Sequence, residues 1–123
     1  MTEDKFYNKN QQNRISNELK KALENGFPIE YSAHCQKRML EREISRADIR
    51  HCIINGVIIE ENPLSDSNHS EKSLPSYLLL DYRVEDDKPI HVLIGFNGKR
   101  ILIISACYPD AKHWMSDNKT RRK

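Results

Sequence analysis

The hydrophobic pattern of the chain changes from helical spacing in its first half to strand-like runs in its second half. Ile15, Leu19 and a further apolar residue one turn later predict a first helix over about residues 14–24. Asn25-Gly26 then supplies a stop signal. The polar residues 1–12 carry no such spacing, and we expect them to be loosely ordered.

Two further helices are predicted between residues 32 and 56. Ser32 is a suitable N-cap for a second helix that runs to about Glu43. Its predicted inward-facing residues are Cys35, Met39 and Leu40. Ser45 and Asp48 have the spacing of a capping box and predict a third helix, which Gly56 ends.

Strand-like patterns follow the third helix. A short β-branched run covers Val57–Ile59, and the polar segment Asn62–Ser76 is the predicted long loop. Three later strands are predicted at Tyr77–Val84, Ile90–Phe96 and Arg100–Cys107. Asn97-Gly98 is a hairpin signal, and a two-residue turn there would pair Ile94 with Ile101 and His91 with Ile104.

This order of elements predicts an α+β fold in which N-terminal helices pack on an antiparallel β-sheet meander. The length of 123 residues suits one core. We therefore divide the chain into a flexible segment at residues 1–12, a single domain at residues 13–116 and a basic tail at residues 117–123.

Composition excludes a disordered chain and a membrane protein, because 37% of residues are hydrophobic and 31% are charged. No signal peptide is recognisable, so we expect a cytoplasmic protein whose three separated cysteines are reduced thiols. The net charge is only +2, but residues 108–123 hold five basic and two acidic side chains. This basic end is either a solvated, frayed terminus or a source of phosphate affinity beside a site elsewhere.

The second helix carries the most informative polar pattern. His34, Arg38 and Arg42 are four residues apart and so form one stripe on a helix face, with Lys37 beside it. Arginine binds phosphate oxygens in bidentate fashion, and histidine exchanges protons near neutral pH. The stripe could therefore hold and attack a phosphodiester, although an ordinary solvated helix face has the same pattern.

His91 is the second unusual residue, because it interrupts an apolar strand. An imidazole there must find a hydrogen-bond partner or line a wet cleft. Asp81, in another apolar strand, poses the same question, and Arg83 or a helix arginine could pair with it. The histidines and cysteines lack the spacing of a zinc site, so no metal is expected.

Three motifs in order carry a family resemblance. They are Ser32-Ala33-His34-x3-Arg38-x2-Glu41-Arg42-x-Ile44-Ser45-x2-Asp48-Ile49, then Pro89-Ile90-His91-Val92, then Pro109-Asp110-x3-Trp114. Over about residues 30–122 the chain resembles domain-of-unknown-function family 4258. One departure is Cys107, which stands where the family usually has Tyr, while Tyr108 lies on the other face of the strand.

The resemblance implies a RelE-like fold of the barnase/EndoU/colicin ribonuclease superfamily. It also implies that His34, Arg38, Arg42 and His91 line a catalytic cleft. The candidate substrate-binding residues are Lys37, Tyr108, Arg121 and Arg122. The expected activity is that of a toxin endoribonuclease that needs no metal or cofactor, because the RNA 2′-hydroxyl supplies the nucleophile.

The expected partners are RNA, including mRNA on the ribosome, and a cognate antitoxin, for which the resemblance suggests a zinc finger of the YgiT (MqsA) type. No membrane partner is expected. Two alternatives remain open: a non-catalytic RNA- or protein-binding module of the same fold, and a domain whose only partner is protein.

Overall fold

The protein folds as three α-helices and one five-stranded sheet, an α+β architecture, in a computed structural model that describes residues 2–62 and 74–122. The elements in chain order are α1 Thr2–Glu24, β1 Ile29–Tyr31, α2 Ala33–Arg42, α3 Arg46–Asn55, β2 Val57–Asn62, β3 Ser76–Tyr82, β4 Pro89–Phe96 and β5 Ile101–Cys107. Most of the predicted loop between β2 and β3 lies outside the described residues.

The predicted α+β fold is confirmed, with its predicted strands in an antiparallel meander, and one further strand makes the sheet mixed. Its strand order is β1-β5-β4-β3-β2, and the last four strands are antiparallel neighbours. Strand β1 pairs with β5 in parallel, with Ile29 opposite Ile101. A three-residue strand has too few positions to show an alternation, so no local pattern signals β1.

The hairpin between β4 and β5 has a four-residue loop, and the predicted two-residue turn is wrong. Asn97 Oδ1 accepts hydrogen bonds from the backbone N–H groups of Lys99, at 2.9 Å, and Arg100, at 3.0 Å. This side-chain turn closes a longer loop, so Phe96 pairs with Ile101. A bulge further along the hairpin adds one residue to β5. The partner of His91 is consequently Cys107 rather than Ile104.

Local capping signals fix the starts of α2 and α3, as predicted, and α2 also ends close to the predicted position. The Ser32 side chain accepts a bond from the Cys35 N–H at 2.9 Å, and Glu43 ends α2 with a left-handed φ of 56°. Ser45 and Asp48 form the complete capping box of α3. The prediction for Leu40 is wrong, because this side chain is 83% exposed while its neighbour Met39 is buried.

The hydrophobic core lies between the helices and one face of the sheet. Strand β4 alternates, so Ile90, Val92 and Ile94 enter this core together with Cys35 of α2. His91 and the other intervening β4 residues therefore face the opposite side of the sheet. That side holds the candidate site.

The two ends of the chain differ from the sequence expectations. Helix α1 begins at Thr2 rather than near Arg14, and the loose order of residues 1–12 stays a prediction. The C-terminal segment folds back on the domain, since the Asn118 carbonyl bonds His91 of β4 and Arg121 pairs with Glu60 of β2. Within the described residues no helix is both long and apolar enough to cross a bilayer.

Candidate functional site

A cavity of about 510 Å³ opens on the sheet face opposite the core. Its floor comes from β3, β4 and β5, and its wall comes from the segment after β5. His91 lies in the floor and is almost fully buried, with 2% exposure. The lining residues that carry ionisable or sulfhydryl groups are Glu60, Glu61, His91, Cys107, Asp110, His113 and Arg121.

The hydrogen bond of His91 determines which ring nitrogen can act as a base. Its Nε2 lies 2.7 Å from the backbone carbonyl oxygen of Asn118. A carbonyl only accepts, so Nε2 carries the proton and Nδ1 keeps its lone pair in the neutral ring. Burial lowers the pKa of His91, while the bond to Asn118 partly opposes that shift. The neutral base is therefore the resting form at pH 7.

The segment after β5 holds the imidazole in place. Trp114 packs edge-on against the His91 ring, with ring centroids 4.3 Å apart and an interplanar angle of 81°. Asn118 has a left-handed φ of 61°, a conformation that asparagine tolerates better than most residues. A backbone turn and one indole thus set both the tautomer and the orientation of His91.

Arg42 is the member of the helix stripe that reaches the sheet beside this cavity. Its Nη1 donates to the Ala106 carbonyl at 2.8 Å, on the edge of β5 that β1 leaves uncovered. The next residue, Cys107, pairs with His91 across the β4–β5 ladder. Burial raises the pKa of the Cys107 thiol, and the Arg42 charge partly offsets this rise.

The rest of the stripe lies further from the cavity. A rise of 1.5 Å per residue places His34 roughly 12 Å along α2 from Arg42. His34 is exposed, and Arg38 pairs with Glu41 at 3.0 Å. Lys37 lines a separate groove between α2 and α3. Of the four predicted catalytic residues, only His91 lines the cavity. His34, Arg38 and Arg42 lie on α2, which packs against the other face of the sheet, so the predicted single cleft is not formed.

The Tyr108 side chain makes hydrogen bonds to other residues of the fold. Its hydroxyl donates to the Arg42 carbonyl at 2.7 Å and accepts from Arg83 Nη1 at 2.6 Å. The ring packs against the hydrophobic core, on the opposite face of β5 from Cys107. The predicted substrate contact of Tyr108 would therefore have to displace these bonds.

Arg121 lines the cavity, and its guanidinium is already paired. Nε and Nη2 form two bonds with the Glu60 carboxylate, at 2.6 and 3.0 Å, and the group stacks on the Trp114 ring at 4.6 Å. Arg122 instead donates to the carbonyls of Ala111 and Trp114. The two C-terminal arginines thus fasten the segment that covers His91, and the frayed-terminus interpretation of the tail does not describe residues up to 122.

Two side chains, His113 and Arg83, have roles that the sequence patterns did not predict. His113 lines the cavity and pairs with Asp110 at 2.8 Å, which holds the pKa of Asp110 below its usual range. Its position four residues after Pro109 in the closing motif was the available signal. Arg83 is buried at the end of β3 and joins the C-terminus of α2 to Tyr108. An arginine directly after an apolar strand was the available signal there.

A second histidine–carboxylate pair lies on the helix side of the sheet. His51 Nδ1 is 2.5 Å from Asp81 Oδ2, so Asp81 pairs with α3 rather than with an arginine. This contact joins α3 to β3 away from the cavity. Among residues 2–62 and 74–122, no group of three or more His, Cys, Asp or Glu side chains is arranged to hold a metal ion.

The sequence of the chain matches one known protein family. The family described as "Domain of unknown function (DUF4258)" matches residues 31–108. The match includes α2, His91 and Cys107, and ends before the C-terminal segment that holds His91. No curated protein and no solved structure shows significant similarity to the chain.

Proposed function

The chain belongs to the DUF4258 family, and from this premise and the geometry around His91 we propose that it is a metal-independent endoribonuclease with a RelE-like fold. It would act as the toxin of a type II toxin–antitoxin module. The observation that carries the proposal is a buried histidine, bonded through Nε2 to the Asn118 carbonyl, in a cavity of about 510 Å³. A volume of this size accommodates a small ligand such as one nucleotide.

His91 is the general base in this proposal. Its Nδ1 takes the proton of the RNA 2′-hydroxyl, and the 2′-oxygen attacks the adjacent phosphorus. The bond to the 5′-oxygen breaks, and that oxygen takes a proton from water. The products are a 2′,3′-cyclic phosphate and a 5′-hydroxyl. An internal nucleophile of this kind needs no metal-bound water.

Arg42 is the electrostatic partner in this proposal, because it bonds the Ala106 carbonyl, next to Cys107 in the cavity lining. A guanidinium at the phosphate stabilises the charge that grows in the transition state. Arg38 and His34 continue the same helix face, so they extend the contact to neighbouring phosphates. This arrangement suits single-stranded RNA, whose backbone is free to align for in-line attack.

A non-catalytic RNA- or protein-binding module is the second candidate, and one observation favours it. Glu60, Glu61 and Asp110 line the cavity, and Arg121 is the cation that lines it with them. Carboxylates repel a phosphodiester. Cys107 also stands beside His91, where the resemblance leads us to expect a tyrosine.

Cleavage of RNA by the purified chain in EDTA separates the two candidates. His91→Gln keeps a donor for the Asn118 carbonyl but has no titrating nitrogen, so the single-turnover rate should fall about 100-fold or more. The matched control is His51→Gln, the same change at a histidine outside the cavity, which should leave the rate unchanged. Bound but intact RNA with the wild-type chain would favour the binding module.

Arg42→Ala should likewise lower the rate about 100-fold while Arg50→Ala, an exposed arginine of α3, has no effect. Circular dichroism checks that both variants fold.

The toxin role predicts that expression without a partner arrests growth. Co-expression of a neighbouring antitoxin gene should restore growth, and His91→Gln should not arrest it.

A further inference from the structure

Leu40 is an apolar side chain that the fold leaves in solvent. It is 83% exposed although it lies on the short helix α2, directly after the buried Met39. Single exposed leucines are common on protein surfaces and need no partner. Leu40 differs because an apolar groove lies beside it.

This groove has a volume of about 670 Å³ and lies between α2 and the start of α3. Its floor is formed by Met39 and Ile44, which belong to the hydrophobic core. Tyr31 and Leu40 add further apolar surface to its walls. The exposed Leu40 side chain and an apolar groove therefore lie side by side on one molecule. This is the arrangement that a two-fold contact between identical chains requires.

Two charged residues at the groove are also placed so that two copies of the chain can pair with each other. Lys37 precedes Leu40 by three residues and Glu43 follows it by three, and both line the groove. An antiparallel approach of two α2 helices about Leu40 places the lysine of each copy beside the glutamate of the other. Two ion pairs then flank the central pair of leucines. We propose that a second copy of this chain occupies the groove and forms a two-fold dimer centred on Leu40.

The dimer leaves the polar stripe accessible. Leu40 and Arg38 are two residues apart, which is about 200° around the helix, so they point to opposite sides. The inference therefore does not rest on the proposed ribonuclease activity. It does assign Lys37 to a protein contact, in place of the predicted substrate contact.

The contact is small, because it involves one helix and one groove on each copy. Interfaces below about 1,200 Å² are typical of weak, reversible association. We therefore expect a dissociation constant on the order of 10–100 μM rather than an obligate dimer. Salt should weaken the association, because exposed ion pairs are screened.

Sedimentation equilibrium of the full chain over a concentration series tests the inference. The wild-type chain should show a reversible monomer–dimer equilibrium. Leu40→Glu should make it monomeric without loss of secondary structure, because the side chain is exposed. Lys37→Glu and Glu43→Lys should each weaken dimerisation about tenfold or more, since either change replaces two attractive pairs by two repulsive ones.

The double variant Lys37→Glu with Glu43→Lys gives the sharpest result. It restores both pairs in exchanged form, so dimerisation should return to nearly the wild-type strength. Glu24→Lys, the same charge change at an exposed residue of α1 that does not line the groove, is the control and should leave the dimer intact. A monomer at every concentration overturns the inference. So does a dimer that tolerates Leu40→Glu, or a double variant that stays as weak as the single ones.

Discussion

Replacing Arg83 by methionine removes a buried guanidinium that links three parts of the chain. Its Nη1 donates to the Glu43 carbonyl at 3.0 Å, where α2 ends, and to the Tyr108 hydroxyl at 2.6 Å. Asp86 lies 3.1 Å from Nε but off the N–H direction, so Nε makes no hydrogen bond within the described residues. The two Nη1 bonds are therefore the contacts that the substitution chiefly removes.

The expected loss of stability follows from these two bonds. Each hydrogen bond from a charged donor contributes roughly 1.5–3 kcal/mol. Methionine keeps part of the aliphatic packing, and removing the charge also removes the need to desolvate it. We therefore expect a net loss of about 2–4 kcal/mol in the free energy of unfolding. For a domain of this size the melting temperature should fall by roughly 8–16 °C.

Urea unfolding measures this loss, and Trp114 provides a natural probe because it is the single tryptophan and is buried. Circular dichroism should give the same midpoint if the transition is two-state. Arg14→Met is the control, since Arg14 is exposed in α1, and it should change stability by no more than about 0.5 kcal/mol. An equally small effect of Arg83→Met would show that this guanidinium does not tie α2 to β5.

Three further predictions concern the site and its supports. Because burial lowers the pKa of His91, the unfolded chain takes up the proton more readily; stability should be complete above about pH 6.5 and decline as the pH falls toward the folded-state pKa. In His91→Gln this part of the decline in urea midpoint should disappear, and an identical decline in both chains would contradict the assignment. Asn118→Gly should keep the His91 tautomer seen by ¹⁵N NMR, whereas Asn118→Val should disturb it because valine disfavours the φ of 61°; an unchanged spectrum in the valine variant would count against the role of this turn. Gly56→Ala should lower the unfolding free energy by about 1–3 kcal/mol, because the new Cβ would lie 2.6 Å from the Cys52 carbonyl oxygen; thermal melting with no shift would show that the backbone yields there.

The parts of the fold that local chemistry determines were predictable from sequence. Ser32 and the Ser45–Asp48 pair satisfy backbone N–H groups within three residues, so their patterns alone locate the starts of α2 and α3. Strand β1 could not be found in this way, because its pairing with β5 joins residues about seventy positions apart. Leu40 was misplaced because two adjacent apolar residues do not reveal which of them faces the core.

The site was predictable only in part, because much of it depends on contacts between residues that are far apart in the sequence. An imidazole in an apolar strand signals a special environment, and His91 indeed has both a hydrogen-bond partner and a cavity. Its neighbour Cys107 depended on the hairpin register, which the Asn97 side chain and a distant bulge decide. The pairing of Arg121 with Glu60 depends on how the C-terminal segment folds back, which no local pattern encodes.

The most direct test of the proposed function compares two RNA oligonucleotides of one sequence, one natural and one with 2′-O-methyl groups throughout, in EDTA. The purified chain should cleave the natural strand to fragments with 2′,3′-cyclic phosphate ends, and it should bind the methylated strand and leave it intact. The rate should rise with pH and level off above a midpoint below about 6.5, the ordinary pKa of histidine, because burial lowers the pKa of His91. Cleavage of the methylated strand, or an intact natural strand between about pH 6 and 9, would contradict the account.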